Sequence, residues 1–513
     1  VVFKSLLYSS GDAPRLLDEP PECFRDLGLD IVVGFLEKRL DGETVELVRR
    51  LWYTPPGNID DAVYRQEVFA DLEDAETVRA LRRFVDEFSS IVSLLRHAEE
   101  YSSGHQREGM FLGVVLSYID AVEKLLRTLK ERPLRSRGLL SLRDYLESYA
   151  SSPGFQRLKS RAKEVASLIS SVKFCIDIKG STITVYEKCE GEDYTDIIKS
   201  LFERFSVSKD DGEEEPEWRL EYYRGHVEEA ILNLAAKIHK KPFEELSRFY
   251  REHKNFIDPV LEKLYKEIQF YLSYIDLMEF VREAGLPFTL PRLKEEEGGE
   301  EYCIDCFDLS LALKYLKEGR EVVTNSFQLG PEERIIVVTG PNSGGKTTFA
   351  RMVGQVYYLA KLGVPVPGRR AELLFVDAVY THFPRGEDTG NMRSKLEEEL
   401  TRMKKILEKA TSRSVIIVNE FLSSTSTYDA ARLGKKILGM IKRIGSRCIY
   451  VTFIDELARL DYVVSYVAQV DPKNPERRTY KVVRQPATGL TYARLIAKKY
   501  GLSYEDIVSR VKP

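Results

Sequence analysis

The sequence predicts a parallel-sheet α/β domain in its C-terminal part, preceded by a large, mainly helical region that carries one small β-hairpin. Three observations lead there. Ile335-Ile336-Val337-Val338 is an apolar, β-branched run of the kind that forms a buried parallel strand, and a glycine-rich loop and a helical pattern follow it directly. Val415-Ile416-Ile417-Val418 and Cys448-Ile449-Tyr450-Val451-Thr452 repeat the buried-strand pattern further on. Upstream, apolar residues recur at helical spacing through most of 61–284.

A chain of 513 residues is too long for one core and predicts two to four domains. Hydrophobic residues make up 43% and charged residues 31%, the balance of a water-soluble globular protein. The net charge of −4 excludes a global positive field, so contact with nucleic acid must come from local basic patches. No apolar run approaches the roughly 20 residues of a membrane span, and the N-terminus has no charged-then-apolar leader pattern, so no membrane partner is expected. Six cysteines in a chain of this size predict free thiols and a cytoplasmic setting. Cys303-Ile304-Asp305-Cys306 is a lone C-x-x-C, either a pair of core cysteines or half of a metal site.

In order along the chain, residues 1–60 read as a connector of short elements broken at Gly11-Asp12, Pro20-Pro21 and Pro55-Pro56-Gly57. Residues 61–300 read as a helical core or lever domain. Tyr64, Val68, Phe69 and Leu72 open its first stripe, and Leu81, Phe84, Phe88, Ile91, Leu94 and Leu95 a second. A basic connection (Lys124, Arg127, Lys130, Arg132, Arg135, Arg137, Arg143) is either a phosphate-facing surface or a solvated face. Residues 174–186 alternate with period two around Lys179-Gly180-Ser181, a hairpin signature, and an acidic loop follows within 189–217. The aromatic run Phe270, Tyr271, Tyr274, Leu277 and Phe280 reads as helix–helix core. Residues 301–485 form the α/β domain, with a strand candidate over 372–380 and a charged helix over 392–410. Residues 486–513 read as a C-terminal helical segment.

The chemistry concentrates in the α/β domain. Gly340-Pro341-Asn342-Ser343-Gly344-Gly345-Lys346-Thr347 fits G-x-x-x-x-G-K-[ST] in the strand–loop–helix setting that makes it a phosphate cradle, and Thr348 follows inside the helix. The glycines let backbone N–H groups turn toward phosphate oxygens, and the helix N-terminus adds partial positive charge. Lys346 is expected on the β- and γ-phosphates and the Thr347 hydroxyl on Mg²⁺, so ATP and Mg²⁺ are the implied cofactors. The strand at 415–418 delivers Asn419 and Glu420 at its end. Asn419 supplies an uncharged oxygen to the metal, and Glu420 is the expected base that orients the attacking water. The hydroxyl-rich loop 423–429 ahead of a helix is either an anion-binding end or a helix cap.

Together these segments resemble the MutS family, DNA mismatch-repair ATPases of the ABC class. Thr339 to Thr348 is close to that family's form of the phosphate loop, with its internal Pro341-Asn342. Thr425-Ser426-Thr427-Tyr428-Asp429 matches the run after the second motif, and Thr452 to Leu457 stands where the family has Thr-His-x-x-Glu-Leu. Tyr64-Arg65-Gln66-Glu67-Val68 resembles the start of its lever region, and Gly489 to Ala497 its C-terminal dimerising helices. The resemblance implies an α/β P-loop (ABC-type) ATPase domain, working as a homodimer through the ATPase domains, with levers that reach DNA, whether duplex, mismatched or branched. It implies a nucleotide contact for Asn325, a reach to the partner's γ-phosphate for Ser426 and a place at the dimer seam for Asp429. A downstream repair protein and a nucleoid-associated location follow from the same resemblance. The departures imply slow hydrolysis: Asn419 replaces the metal-binding aspartate and Phe453 the γ-phosphate-sensing histidine. The N-terminal part offers no room for the family's mismatch-reading domain, and its Phe-x-Glu letters, Phe35-Leu36-Glu37, fall in a helical pattern.

Overall fold

The computed structural model describes residues 3–11, 13–40, 42–99, 104–179, 182–187, 226–296, 298–384, 395–422, 425–471, 478–487, 504 and 507–508. The acidic loop in 189–217, Ser423, Ser424 and most of the C-terminal helical pattern lie outside these residues. The chain forms two compact units, one of residues 74–134 and 140–265, the other of 3–73, 135–139 and 266–513.

The first unit is built on long amphipathic helices, Ala75–Glu99 and Gly104–Glu131 foremost, followed by Pro153–Ser170, His226–Ile238 and Lys240–Glu252. Most of the stripe read from the sequence is its core: Leu81, Phe84, Phe88 and Ile91 are buried with Val115, Tyr118 and Val122 of the next helix, whereas Leu94 and Leu95 are half-buried. Aromatic rings fill the rest. Phe88 stacks on Tyr265 at 5.1 Å, and Phe111 meets Phe256 edge-on at 5.4 Å. The expected hairpin forms from Cys175–Lys179 and Thr182–Tyr186, paired antiparallel. Cys175 is disulfide-bonded, so the expectation of free thiols throughout does not hold for it.

Much of the charge of the basic connection is met by neighbouring carboxylates. In the first unit Lys124 pairs with Asp120, Lys130 with Glu147 and Arg143 with Asp144, and in the second Arg137 pairs with Asp60 and Glu67. Paired and partly exposed cations of this kind leave little net positive field for a phosphate backbone, which favours the solvated-face reading.

The second unit holds a six-stranded sheet. From one edge its order is Val379–His382, Val415–Asn419, Arg447–Val451, Ile335–Thr339, Val464–Val470 and Arg478–Arg484. All neighbours are parallel except the last pair. Every residue of the strands 335–339, 415–419 and 447–451 is buried, which is why they read as unbroken apolar runs rather than alternating ones. Helix Lys346–Leu362 packs on the sheet, and Gly354 lets it approach Leu27 and Ile417 closely. A second, four-stranded sheet follows the order 292–294, 370–374, 301–306, 325–329.

One local reading needs correction. The single strand over 372–380 is two strands in different sheets: Arg370–Leu374 joins the four-stranded sheet and Val379–His382 edges the six-stranded one. The break falls at Asp377, whose carboxylate accepts from Ser414 Oγ at 2.7 Å and from Thr411 Oγ1. In the C-x-x-C segment both thiols are fully buried, and Cys306 donates to the Asn325 carbonyl at 3.2 Å. A register shift between Cys303 and Cys306, with Asp305 at φ 52°, turns both to the same side. They are core residues of a strand. The aromatic run 270–277 is buried as expected, on helix Pro259–Arg282.

Candidate nucleotide site

Because strands 335–339, 415–419 and 447–451 run parallel, their C-terminal ends open on one edge of the sheet, where open α/β sheets bind ligands. The register sets Asn419 beside Val451 and Val451 beside Val338. The strand 447–451 thus lies between the glycine loop and Asn419-Glu420. Backbone bonds from Glu420 N–H to Val451 O and from Thr452 N–H to Val338 O, both 3.0 Å, hold the three ends level.

The loop between Thr339 and Lys346 is shaped by its backbone. Gly340 and Gly345 stand at φ 121° and 93°, and a Cβ on Gly340 would lie 3.0 Å from Ala468 backbone atoms. Ser343 adopts φ 58° without that freedom, a strained value that marks a functional turn. Pro341, Asn342 and Ser343 are partly or fully exposed, whereas Gly344 is buried against the Pro341 carbonyl.

Lys346 opens the helix and is only 4% exposed. Its Nζ donates to the carbonyls of Gly340 and Pro341, both at 2.9 Å. Burial pushes its ammonium below the ordinary value, Glu420 opposes that shift and Arg478 adds to it. A phosphate would supply the anionic partner this buried cation lacks in two neutral carbonyls. Thr347 Oγ1 donates to Asn419 Oδ1 at 2.9 Å, which puts the two expected metal ligands side by side. A hydroxyl and an amide oxygen suit a hard cation held mainly by phosphates and water, and Mg²⁺ fits them. Among the described residues no cluster of three or more His, Cys, Asp or Glu side chains offers a richer metal site.

A cavity of about 450 Å³ gathers Ser343, Gly345, Lys346, Thr347, Thr348, Asn325 and Glu420. Glu420 sits at φ 50° and Leu422 at φ 62°, and the turn is fixed by Leu422 N–H donating to the buried Glu399 carboxylate at 3.1 Å. Asn325 reaches the cavity with its amide engaged: Nδ2 donates to the Tyr480 carbonyl at 3.0 Å and Oδ1 accepts from Val482 N–H at 2.8 Å.

Three residues of this cavity escape a sequence reading. Arg320 lies 3.7 Å over the Tyr315 ring, and Tyr480, half exposed at φ 58°, faces the same space. They come from a helix, the segment just after it and a strand remote in the chain, and no motif marks them.

Ser426 and Asp429 are placed apart from these cavity residues. Ser426 caps helix Thr427–Ile444, donating to Asp429 Oδ2 at 2.7 Å and accepting from Asp429 N–H at 3.1 Å. Both are exposed, as are Tyr428 at 70% and Phe453 at 51%. Phe35 packs on Phe280 at 5.3 Å at the end of helix Leu29–Leu36, so the Phe-x-Glu letters are helical there.

Residues 336–504 match the MutS domain V family. The chain is similar to the DNA mismatch repair protein MutS of Caldanaerobacter subterraneus subsp. tengcongensis, 30% identical over 38% of this chain and 24% of the relative. It is also 30% identical to the MutS of Brevibacillus brevis, over 31% of this chain and 19% of the relative. A third relative, the MutS of Chlorobium phaeovibrioides, is 30% identical over 43% of this chain and 25% of its own length. The chain therefore spans about a quarter or less of the length of these relatives.

Proposed function

Because the chain belongs, through its domain V, to the MutS family, we propose that it is an ATP-dependent DNA-binding protein of DNA repair or recombination. In this reading it is a dimeric clamp gated by nucleotide. The carrying observation is the buried Lys346 ammonium facing one cavity with Thr347 and Glu420, with Asn419 bonded to Thr347. Loop 340–348 would hold the phosphates of ATP, and the Thr347 hydroxyl and the Asn419 amide oxygen would hold Mg²⁺, which would supply positive charge to those phosphates. Tyr315, Arg320 and Tyr480 supply a flat, cationic and aromatic wall of the kind on which a purine base stacks.

Glu420 is the group in reach of an attacking water. Glu420→Gln is expected to slow hydrolysis about 100-fold while ATP is still held, read as phosphate release beside nucleotide binding. An unchanged rate would remove Glu420 from this role. Asn419 lacks the charge of the usual aspartate, which supports slow turnover.

Dimerisation rests on the exposed start of helix Thr427–Ile444. Ser426, Asp429, Tyr428 and Phe453 form a polar and aromatic surface that a second ATPase domain would cover. The test of the function as a whole is a panel of homoduplex, mismatched and branched DNA, with and without ATP, at matched salt. ATP-dependent retention of at least one form is expected. Binding to none of them at low salt would sink the reading. If ATP still drives dimerisation in that case, a scaffold for protein partners takes its place, the reading favoured by the self-paired basic connection.

A further inference from the structure

A second cavity, of about 610 Å³, shares no residue with the nucleotide site. Its walls are the segments 17–23 and 53–55, the last turn of helix Lys346–Leu362, residues 377–381 and helix Lys395–Lys409. Lys361 stands on this wall. Its Nζ donates to the Val376 carbonyl at 3.0 Å and lies 4.8 Å from the centre of the Phe375 ring.

The surroundings do not hold that ammonium as an ion pair. Asp377 is the nearby carboxylate, but its oxygens already accept from Thr411 and Ser414. Burial lowers the Lys361 pKa to about 8, Asp377 works against the shift and Arg413 with it. Facing the same space are Glu22 and Glu398, the phenols of Tyr53, Tyr358 and Tyr380, and the Cys23 thiol. Tyr358 is already tied to the Trp52 carbonyl at 2.6 Å. Arg402, Lys405 and Lys409 line it from one helix, and with Lys361 these cations outnumber the carboxylates Glu22, Asp377 and Glu398. The cavity thus combines one desolvated amine with a lining of small net positive charge that favours small anions.

We infer that Lys361 is a nucleophilic amine that small anionic acyl donors, such as acyl phosphates, acylate from within this cavity. In the step, unprotonated Nζ attacks the carbonyl carbon and a C–N bond forms. The C–O bond to phosphate breaks, phosphate leaves with the electron pair, and the proton lost by nitrogen passes to water. The product amide is neutral and keeps one N–H for the Val376 carbonyl. The contact of a cation with the Phe375 ring is lost, and with it a charge that suits the C-terminal end of the helix whose other end cradles phosphate.

The test incubates the full chain with acetyl phosphate at pH 7.5 and follows each lysine by peptide mass spectrometry. Lys405 and Lys409, exposed on the same cavity, are internal controls for access. Lys361 is expected to react about tenfold faster than either, its larger free-amine fraction outweighing its lower basicity. Its rate should level off above about pH 8. Asp377→Asn should raise the Lys361 rate further and leave the controls unchanged. Equal or slower reaction at Lys361, or a Lys361 rate that keeps climbing well above pH 8, overturns the proposal.

Discussion

Replacing Lys346 with alanine is expected to weaken ATP binding by about 3 kcal/mol, on the order of 100-fold or more, the cost of removing one member of a buried, hydrogen-bonded charge pair. The reasoning is local. The ammonium is almost fully buried at the mouth of the glycine loop and is held there by two neutral carbonyls. Exchange of those carbonyls for phosphate oxygens gives a charge-assisted contact in a site where burial already penalises the unpaired cation. Titration with a fluorescent ATP analogue reads the effect. Lys346→Met keeps the packing of the aliphatic stem and should lose as much affinity as the alanine variant, because the loss comes from charge. If the methionine variant binds within about threefold of the parent, the phosphate role of Lys346 is wrong, since a buried charged contact is worth far more than that.

The largest expected effect on stability lies behind the site. Glu301 and Arg447 form an ion pair at 2.8 Å with side chains 5% and 1% exposed. Glu301 also accepts from Tyr357 Oη at 2.7 Å and from Leu374 N–H at 3.2 Å, and Arg447 donates to the Ser412 carbonyl at 2.6 Å. One carboxylate thus joins the four-stranded sheet, the cradle helix and the six-stranded sheet. Glu301→Gln breaks this buried ion pair from one side and is expected to cost about 3–5 kcal/mol, measured by chemical denaturation. The double variant Glu301→Gln with Arg447→Met should recover part of that loss, because it removes the other buried charge of the pair as well. A single-variant cost below about 1 kcal/mol would show that water or a rearranged partner neutralises Arg447.

The parts of this protein that the sequence discloses are those whose logic is contiguous. Ile335 to Val338, the glycine loop and the start of the cradle helix follow one another, so motif and geometry coincide. Thr347 and Asn419, which stand at the ends of separate motifs, are joined by a hydrogen bond. Where the logic is spatial, the sequence misleads or is silent. Phe375 and Val376 are buried before the sheet change and Val379 after it, so the apolar run hides the break at Asp377. Period-two counting puts Cys303 and Cys306 on opposite faces, and the irregularity at Asp305 brings them to the same one. Tyr315, Arg320 and Tyr480 are assembled by the fold from distant elements, and Glu399 supports the turn after Glu420 from across it. The Glu301–Arg447 pair, separated by more than a hundred positions, leaves no trace in any local pattern.

Asn325 shows what such an assembly makes possible. A side-chain amide has two hydrogens to give and two lone pairs to share. The bonds to Tyr480 and Val482 use one of each and leave one of each. The residue has the valence to touch a nucleotide without letting go of the strand Arg478–Arg484. A ligand that draws this amide inward therefore pulls the outermost strand of the sheet along with it, as a tether and not a latch.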